Sequence, residues 1–182
     1  MSPPPKFEAL LLVDGYNIIG AWPSLQAEMQ AGGLEAARRG LVEALAGYSA
    51  YKAFNTHVIF DSQFQDNRRS REVVTPHVEV CYTDYRETAD TFIERTCAHF
   101  RNDLRKFSQR LIVATSDRAQ QLTVTGFGAE WLSARRLEEE VNYSQAGVRS
   151  RQRTPRKAQG SLASSLNESA RQRLSRLRFG ID

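Results

Sequence analysis

Three aspartates each come at the end of an apolar stretch, and a fourth lies just beyond another such stretch. Asp14, Asp61 and Asp117 hold the first kind of position, and Asp90 falls in the first turn of a predicted helix. Continuous apolar stretches are typical of strands buried in a parallel sheet. Because parallel strands end at one edge of their sheet, we expect the four carboxylates to gather at that edge.

Carboxylates that gather in this way repel one another unless a cation neutralises them. Hard divalent ions such as Mg²⁺ and Mn²⁺ bind oxygen ligands, usually a few carboxylates together with water and phosphate oxygens. Such an ion lowers the pKa of a bound water and offsets the charge on an attacked phosphate. The four aspartates therefore predict metal-assisted hydrolysis of a phosphodiester.

Most of these acidic residues also have a purely structural interpretation. Asp117 could cap the helix after its strand, and Asp61 could equally be a turn residue. Asp84 and Glu87 have the spacing of a capping box, which suits them better than metal binding. Asp14 is the hardest to explain in this way, because it ends a buried strand immediately before a glycine.

The elements that must position these residues alternate between strands and helices. Apolar runs predict strands over residues 10–14, 56–61, 78–83 and 110–117, with an edge strand over 129–133. Helical spacing and capping predict helices over 34–54, over 88–100 and after Ser133, with a polar loop over 62–76. This alternation predicts an α/β fold in which helices cover both faces of a mainly parallel sheet.

Composition indicates an ordinary globular chain, with 41% hydrophobic and 25% charged residues. Cys81 and Cys97 have the spacing of neither a disulfide framework nor a zinc site, so we expect buried thiols in a reducing compartment. The sequence also shows no signal peptide and no apolar stretch long enough to cross a membrane. We therefore expect a cytoplasmic protein with no membrane partner.

Positive charge is concentrated at the C-terminal end of the chain. Residues 142–182 contain nine Lys or Arg and two acidic residues, a net charge of +7, which leaves −3 on the rest. Residues 147–160 have the composition of a linker, and the leucines that follow predict a last helix. A basic tail beside an acidic body suggests that one part holds a polyanion and the other acts on it. A solvated tail explains the charge equally well.

Three segments resemble the YacP-like proteins, which belong to the NYN domains of the PIN-like nuclease superfamily. The segments are LVDGYNII at 12–19, ETADTFIER at 87–95 and TSD at 115–117. They occur in the family's order, and the resemblance runs from about residue 10 to 141. It implies a PIN-like (Rossmann-like) three-layer sandwich over residues 7–141, followed by a basic linker and C-terminal helix over 142–182.

The same resemblance implies an acidic, metal-dependent site that cuts RNA, with Mg²⁺ or Mn²⁺ as the cofactor. Asp14, Asp90 and Asp117 would form its acidic core as metal ligands and catalytic residues. Asn17 would act beside them as a polar catalytic residue. Asp61 matches the aspartate that ends the second strand and is expected as a further metal ligand.

RNA, either mRNA or rRNA, is the substrate that the resemblance implies. The family is associated with RNA turnover or processing, in some members on translating ribosomes. Basic and polar residues are expected to contact the RNA; they are Arg68, Arg69, Arg71, Ser116, Arg118, Arg151 and Arg153. We therefore predict an endoribonuclease, and the sequence leaves its oligomeric state open.

Two functions of other classes remain open on the residues alone. The same fold and tail would suit a non-catalytic module that binds RNA or the ribosome, although the intact acidic positions argue against it. A phosphotransfer domain of the phosphatase or receiver type also has an aspartate after its first strand. The phosphatase pattern, however, needs a second aspartate where Tyr16 stands. The sequence contains neither a GxGxxG turn nor a Walker A loop, which weakens nucleotide-cofactor hypotheses.

Overall fold

A six-stranded sheet forms the centre of the fold in the computed structural model, which describes residues 6–62 and 70–153. The strands are β1 (Ala9–Asp14), β2 (Phe54–Phe60), β3 (Ser70–Thr75), β4 (Val78–Tyr82), β5 (Arg110–Ala114) and β6 (Glu130–Leu132). Their spatial order is β3-β4-β2-β1-β5-β6. The edge strand β3 runs antiparallel to β4, and all other neighbouring strands are parallel. The predicted mainly parallel sheet is confirmed.

Five α-helices connect these strands in the described part of the chain. They are α1 (Gly15–Ala21), α2 (Pro23–Lys52), α3 (Ala89–Arg101), α4 (Arg118–Gly126) and α5 (Ala134–Arg153), with a 3-10 turn over Leu104–Phe107. Helix α2 is interrupted at Gly33, whose φ of +79° is a left-handed conformation that favours glycine.

Both faces of the sheet are covered, because successive side chains of β1 point to opposite sides. Leu11 and Val13 belong to a buried cluster that includes residues of α1, α2 and α5. Leu10 and Leu12 belong to a second buried cluster, formed with residues of α3 and α4. A strand that is apolar on both faces has an unbroken hydrophobic sequence, which is why β1 could be predicted. The three-layer fold is therefore confirmed.

The strand order changes direction at β1, which lies between β2 and β5. Asp14 pairs with Ile59 of β2, and Val13 pairs with Ala114 of β5. The residues that follow β1, β2 and β5 therefore emerge at one edge of the sheet. Ligands of open parallel sheets bind at such a switch point, beyond the carboxyl ends of the strands.

The predicted loop over 62–76 is wrong for residues 70–75. These residues form β3, which pairs with β4 and is mostly exposed to solvent. The strand shows no clean alternation of polar and apolar residues, so no periodicity marks it in the sequence. Arg71 consequently lies on an edge strand rather than in a loop.

The capping box predicted for Asp84 and Glu87 is also wrong. The N-cap of α3 is Thr88, whose side chain accepts a hydrogen bond of 3.2 Å from the backbone N–H of Thr91. Asp84 instead accepts a hydrogen bond from the Glu87 backbone N–H within a turn before the helix. Glu87 pairs with Arg95 of α3, so its carboxylate is occupied by a cation.

The linker predicted over 147–160 is wrong as far as Arg153, because α5 continues to that residue. The packing unit that contains the sheet ends at Gln145. The domain boundary at residues 141–142 stays a prediction, and the predicted last helix lies outside the described residues. Within the described chain, no helix combines the length and the apolar character needed to cross a bilayer.

Candidate active site

Asp14 lies at the junction of β1 and α1, where it is both the last residue of the strand and the N-cap of the helix. Its side chain accepts a hydrogen bond of 3.4 Å from the Asn17 backbone N–H. The turn after it passes so close to β2 that a Cβ on Gly15 would lie 2.9 Å from the Ile59 carbonyl oxygen and against the Phe60 ring. Only glycine fits there, which explains the Asp-Gly pair.

Asn17 joins this turn to the neighbouring turn after β5. Its Oδ1 atom accepts a hydrogen bond of 2.6 Å from the backbone N–H of Ser116. Asp117, the next residue, is the N-cap of α4 and accepts hydrogen bonds from the N–H groups of Ala119, at 2.7 Å, and Gln120, at 3.0 Å. The capping interpretation of Asp117 is thus correct, and capping places its carboxylate at the switch point.

Asp61 and Asp90 approach the same edge from β2 and α3. Asp61 follows β2 and accepts a hydrogen bond from the Ala89 N–H at the start of α3. Asp90 is the next residue of that helix, and its Oδ1 atom accepts a hydrogen bond of 2.6 Å from Gln120 Nε2 of α4. We call Asp14, Asp61, Asp90 and Asp117 the aspartate cluster.

Charges within the aspartate cluster affect the pKa values of Asp14 and Asp90. Burial raises the pKa of Asp14 to about 7, with further contributions from the charges of Asp90, Asp61 and Asp117. Burial also raises the pKa of Asp90, to which Asp117, Asp61 and Glu94 add. The pKa of Asp61 is raised by burial and partly restored by its hydrogen bond from Ala89. Ionising the carboxylates of this cluster together therefore costs free energy.

No cation of the described chain compensates that charge. Among the described residues, no Lys, Arg or His forms an ion pair with any member of the aspartate cluster. The donor set consists of carboxylate oxygens, which suits a hard divalent ion. The described residues contain no ready-made group of three or more metal-binding side chains. Mg²⁺ needs only one or two carboxylates because it keeps several of its waters, so the residues present fit such an ion.

Comparisons with known proteins show the family to which this chain belongs. The sequence profile of the YacP-like NYN domain matches residues 11–179, which is most of the chain. The chain belongs to the YacP-like NYN domain family. The match extends into the C-terminal tail, beyond the residues that carry the resemblance in the sequence. The NYN domains are of the PIN-like nuclease type, which gives this protein a nuclease-type, RNA-related role.

Three comparisons with proteins of Bacillus subtilis illustrate the similarity of this YacP-like protein to its relatives. YacP of Bacillus subtilis (strain 168) is 37% identical over 157 residues, which cover 85% of this chain and 88% of that protein. The crystal structure of Rae1 (YacP) from Bacillus subtilis matches with a TM-score of 0.64 and 34% identity, over 94% of this chain and 95% of that one. A tryptophan-to-leucine mutant of it matches with a TM-score of 0.67 and 35% identity, over 82% and 86%.

The predicted RNA contacts of the YacP-like chain fall in different places. Ser116 and Arg118 are exposed beside Asp117, at the edge that carries the aspartate cluster. Arg71 Nε lies 3.0 Å from Glu79 Oε2, so an acidic partner already occupies it. Four further RNA contacts remain predictions: Arg68 and Arg69 lie outside the described residues, and Arg151 and Arg153 lie in the last turn of α5, where only the backbone is described.

Sequence reasoning missed two polar residues near this edge, Gln120 and Arg38. Arg38 is only 6% exposed, its Nε donates to the Tyr16 hydroxyl at 3.0 Å, and its guanidinium lies 5.4 Å and 5.7 Å from the ring centres of Tyr16 and Phe60. It thereby fixes the tyrosine that follows the Asp-Gly turn. A signal existed, because Arg38 falls beside the apolar stripe of α2.

Proposed function

We propose that this YacP-like protein is a metal-dependent endoribonuclease that hydrolyses RNA phosphodiester bonds at the aspartate cluster. The observation that carries the proposal is the convergence of four carboxylates from separate elements at the switch point of the sheet. Burial and mutual repulsion raise the pKa of Asp14 and Asp90, and no ion-pair partner in the described chain offsets the charge. Side chains kept in this state are suited to an external cation.

In this proposal Asp14 and Asp90 hold Mg²⁺ or Mn²⁺, Asp117 completes or orients the site, and Asp61 is a further ligand. A bound divalent cation lowers the pKa of a water molecule and offsets charge on the phosphate. It also favours the ionised form of Asp14, whose pKa is otherwise about 7.

Asn17 has a separate role in the proposed reaction. Its side-chain oxygen accepts from the Ser116 N–H, which fixes the orientation of the amide and leaves its NH₂ group as a donor. That group can donate to a phosphate oxygen or position a water. The Asn17–Ser116 hydrogen bond also keeps the turns after β1 and β5 at a fixed separation, so Asp14 and Asp117 stay on the same edge.

RNA binding is assigned to Arg118 and Ser116 beside the aspartate cluster and to the arginines before β3 and in the C-terminal tail. Contacts of this kind are mainly to phosphate, so affinity should fall with salt. We also propose that the protein acts in RNA processing or decay in the cytoplasm, on mRNA or rRNA, and that translating ribosomes present the substrate. Cys81 and Cys97 are both buried, and we take them as the thiols of a protein in a reducing compartment.

A second candidate is a non-catalytic module that binds RNA or the ribosome. The observation in its favour is that the described residues hold no preassembled group of three metal-binding side chains. The two functions differ in a single outcome, which is whether bound RNA is cut.

The test is incubation of purified protein with structured RNAs and with translating ribosomes, with and without Mn²⁺. Asp14→Asn and Asp90→Asn serve as matched variants, because each replaces one carboxylate by an amide of the same shape. We expect the wild type to cut RNA only with the cation, and both variants to bind RNA without cutting it. Cleavage that survives excess chelator would contradict the metal mechanism, and tight binding without any cleavage would establish the second candidate.

A further inference from the structure

We infer that Gln120 is a positioning residue that fixes the Asp90 carboxylate so that one of its oxygens is left for a divalent cation. This inference rests on the proposed function. Gln120 is 2% exposed, and its Nε2 lies 2.6 Å from Asp90 Oδ1. The two residues stand on different helices, α4 and α3, and are 30 positions apart in the chain.

The hydrogen bond that the Gln120 side chain could make within its own helix is not available, because another residue already accepts from that N–H group. Gln120 is the third residue of α4 after the N-cap Asp117, the position from which a glutamine can reach back to the backbone N–H of the cap. That N–H instead donates to the Thr115 hydroxyl at 3.1 Å. The side chain of Gln120 is therefore released from the cap and crosses to the neighbouring helix.

The other end of the amide shows which half of the side chain matters. Gln120 Oε1 is buried and has no hydrogen-bond partner. Buried polar atoms without a partner are rare, because desolvation is then uncompensated. An amide that only filled space would be replaced by an apolar side chain at no loss. Gln120 is thus kept for its NH₂ group, which donates to Asp90.

Gln120 also contacts a second acidic residue through its backbone, since its N–H donates to Asp117 Oδ1 at 3.0 Å. One residue thereby sets the positions of Asp90 and Asp117. Its amide is neutral, so it orients the Asp90 carboxylate without competing for the charge that attracts a cation. A lysine or arginine at this position would form an ion pair and compensate that charge.

The experiment is a calorimetric titration of the full chain with Mn²⁺ alone, comparing wild type with Gln120→Met and Gln120→Leu. Both variants remove the donor and fill similar space, so one remains if the other fails to fold. Gln121→Met is the control, one helical position away on a different face of α4. Loss of an outer partner of a metal ligand costs roughly 10- to 100-fold in metal affinity, which is the loss expected for both Gln120 variants.

A double-mutant cycle with Asp90→Asn separates positioning from packing. If Gln120 acts through Asp90, Gln120→Met causes no further loss of Mn²⁺ affinity in the Asp90→Asn background. A Gln120→Met protein that binds Mn²⁺ like the wild type would overturn the inference and leave the proposed function intact. A wild type that binds no Mn²⁺ would overturn both. Thermal melting should show little change between Gln120→Met and the wild type without metal, because the substitution also removes the unpartnered Gln120 Oε1, and water can replace the lost donor at the exposed Asp90.

Discussion

Two acidic regions of the molecule differ in whether the protein supplies a cationic partner for their carboxylates. Glu79 of β4 lies 3.0 Å from Arg71 Nε and 3.0 Å from His57 Nε2, so its single carboxylate has a permanent cationic partner. The aspartate cluster gathers four carboxylates at the switch point, and the described chain supplies no ion-pair partner for any of them. We call Glu79, Arg71 and His57 the Glu79 group.

This difference distinguishes a carboxylate that is paired within the protein from carboxylates that are available to a ligand. In both places burial disfavours the ionised form, which raises the pKa of Asp14 and lowers the pKa of His57. The Glu79 group offsets that effect within the protein. The aspartate cluster has no ion-pair partner among the described residues, and under the proposed function a cation from outside takes that place.

The largest expected difference between the two regions is in catalysis. Asp90→Asn should lower the single-turnover rate of RNA cleavage about 10³-fold, equal to about 4 kcal/mol, because it removes a ligand of the cation. Glu79→Gln, the matched change in the Glu79 group, should leave the rate within about twofold. Equal losses in the two variants would remove the functional distinction between the regions.

A second expected effect is stabilisation by the cation. Mn²⁺ at 100 times its dissociation constant should raise the free energy of unfolding by about 2.7 kcal/mol, because it binds the folded state. Thermal melting of the wild type and of Glu79→Gln should show this increase, and melting of Asp14→Asn should not. An increase of the same size in Asp14→Asn would place the cation elsewhere in the protein.

Without a cation, the charge of Asp14 should destabilise the fold. Its pKa is about 7 in the folded protein against 3.8 for the ordinary group, so folded protein binds more protons between these values. The destabilisation therefore grows from about pH 4 to pH 7 and is constant above. Asn still caps a helix, so Asp14→Asn should be more stable by about 2 kcal/mol at pH 8 and by less at pH 5. Urea unfolding in the presence of a chelator measures the free energy of unfolding of both proteins. An Asp14→Asn variant less stable than the wild type at pH 8 would show that the charge of Asp14 is already compensated.

The smallest expected effect belongs to the Glu79 group. Burial lowers the pKa of His57, Glu79 raises it, and Arg71 and Arg105 lower it. The unfolded chain then binds more protons below about pH 6.5, so His57 reduces stability as the pH falls below that value. His57→Gln should reduce this decline in the free energy of unfolding between pH 7 and pH 5, measured by urea unfolding. An unchanged decline would assign it to other groups.

Much of the fold could be predicted because its central strands are buried on both faces. Residues 10–13 and 111–114 are unbroken apolar runs, so the presence of two buried parallel strands and the shared edge at which they end follow from simple rules. Strand β3 was missed because an exposed edge strand carries no such pattern. The end of α5 was missed because its Arg, Gln, Ser and Gly residues resemble a linker.

The candidate site was predictable where it depends on strand ends and not where it depends on contacts between helices. Asp14, Asp61 and Asp117 each follow a strand, so topology brings them together. The role of Gln120 depends on a partner in α3, and that of Arg38 on stacking against Tyr16 and Phe60. Such contacts join residues far apart in the chain, and no local pattern encodes them.

The most direct test of the account is a crystal of the protein soaked in Mn²⁺ and measured at a wavelength where manganese scatters anomalously. We expect an anomalous peak at the aspartate cluster, within about 2.0–2.3 Å of carboxylate oxygens of Asp14 and Asp90. A peak at the Glu79 group, or none at the aspartate cluster when Mn²⁺ saturates the crystal, would contradict the claim that the uncompensated carboxylates are held for a cation.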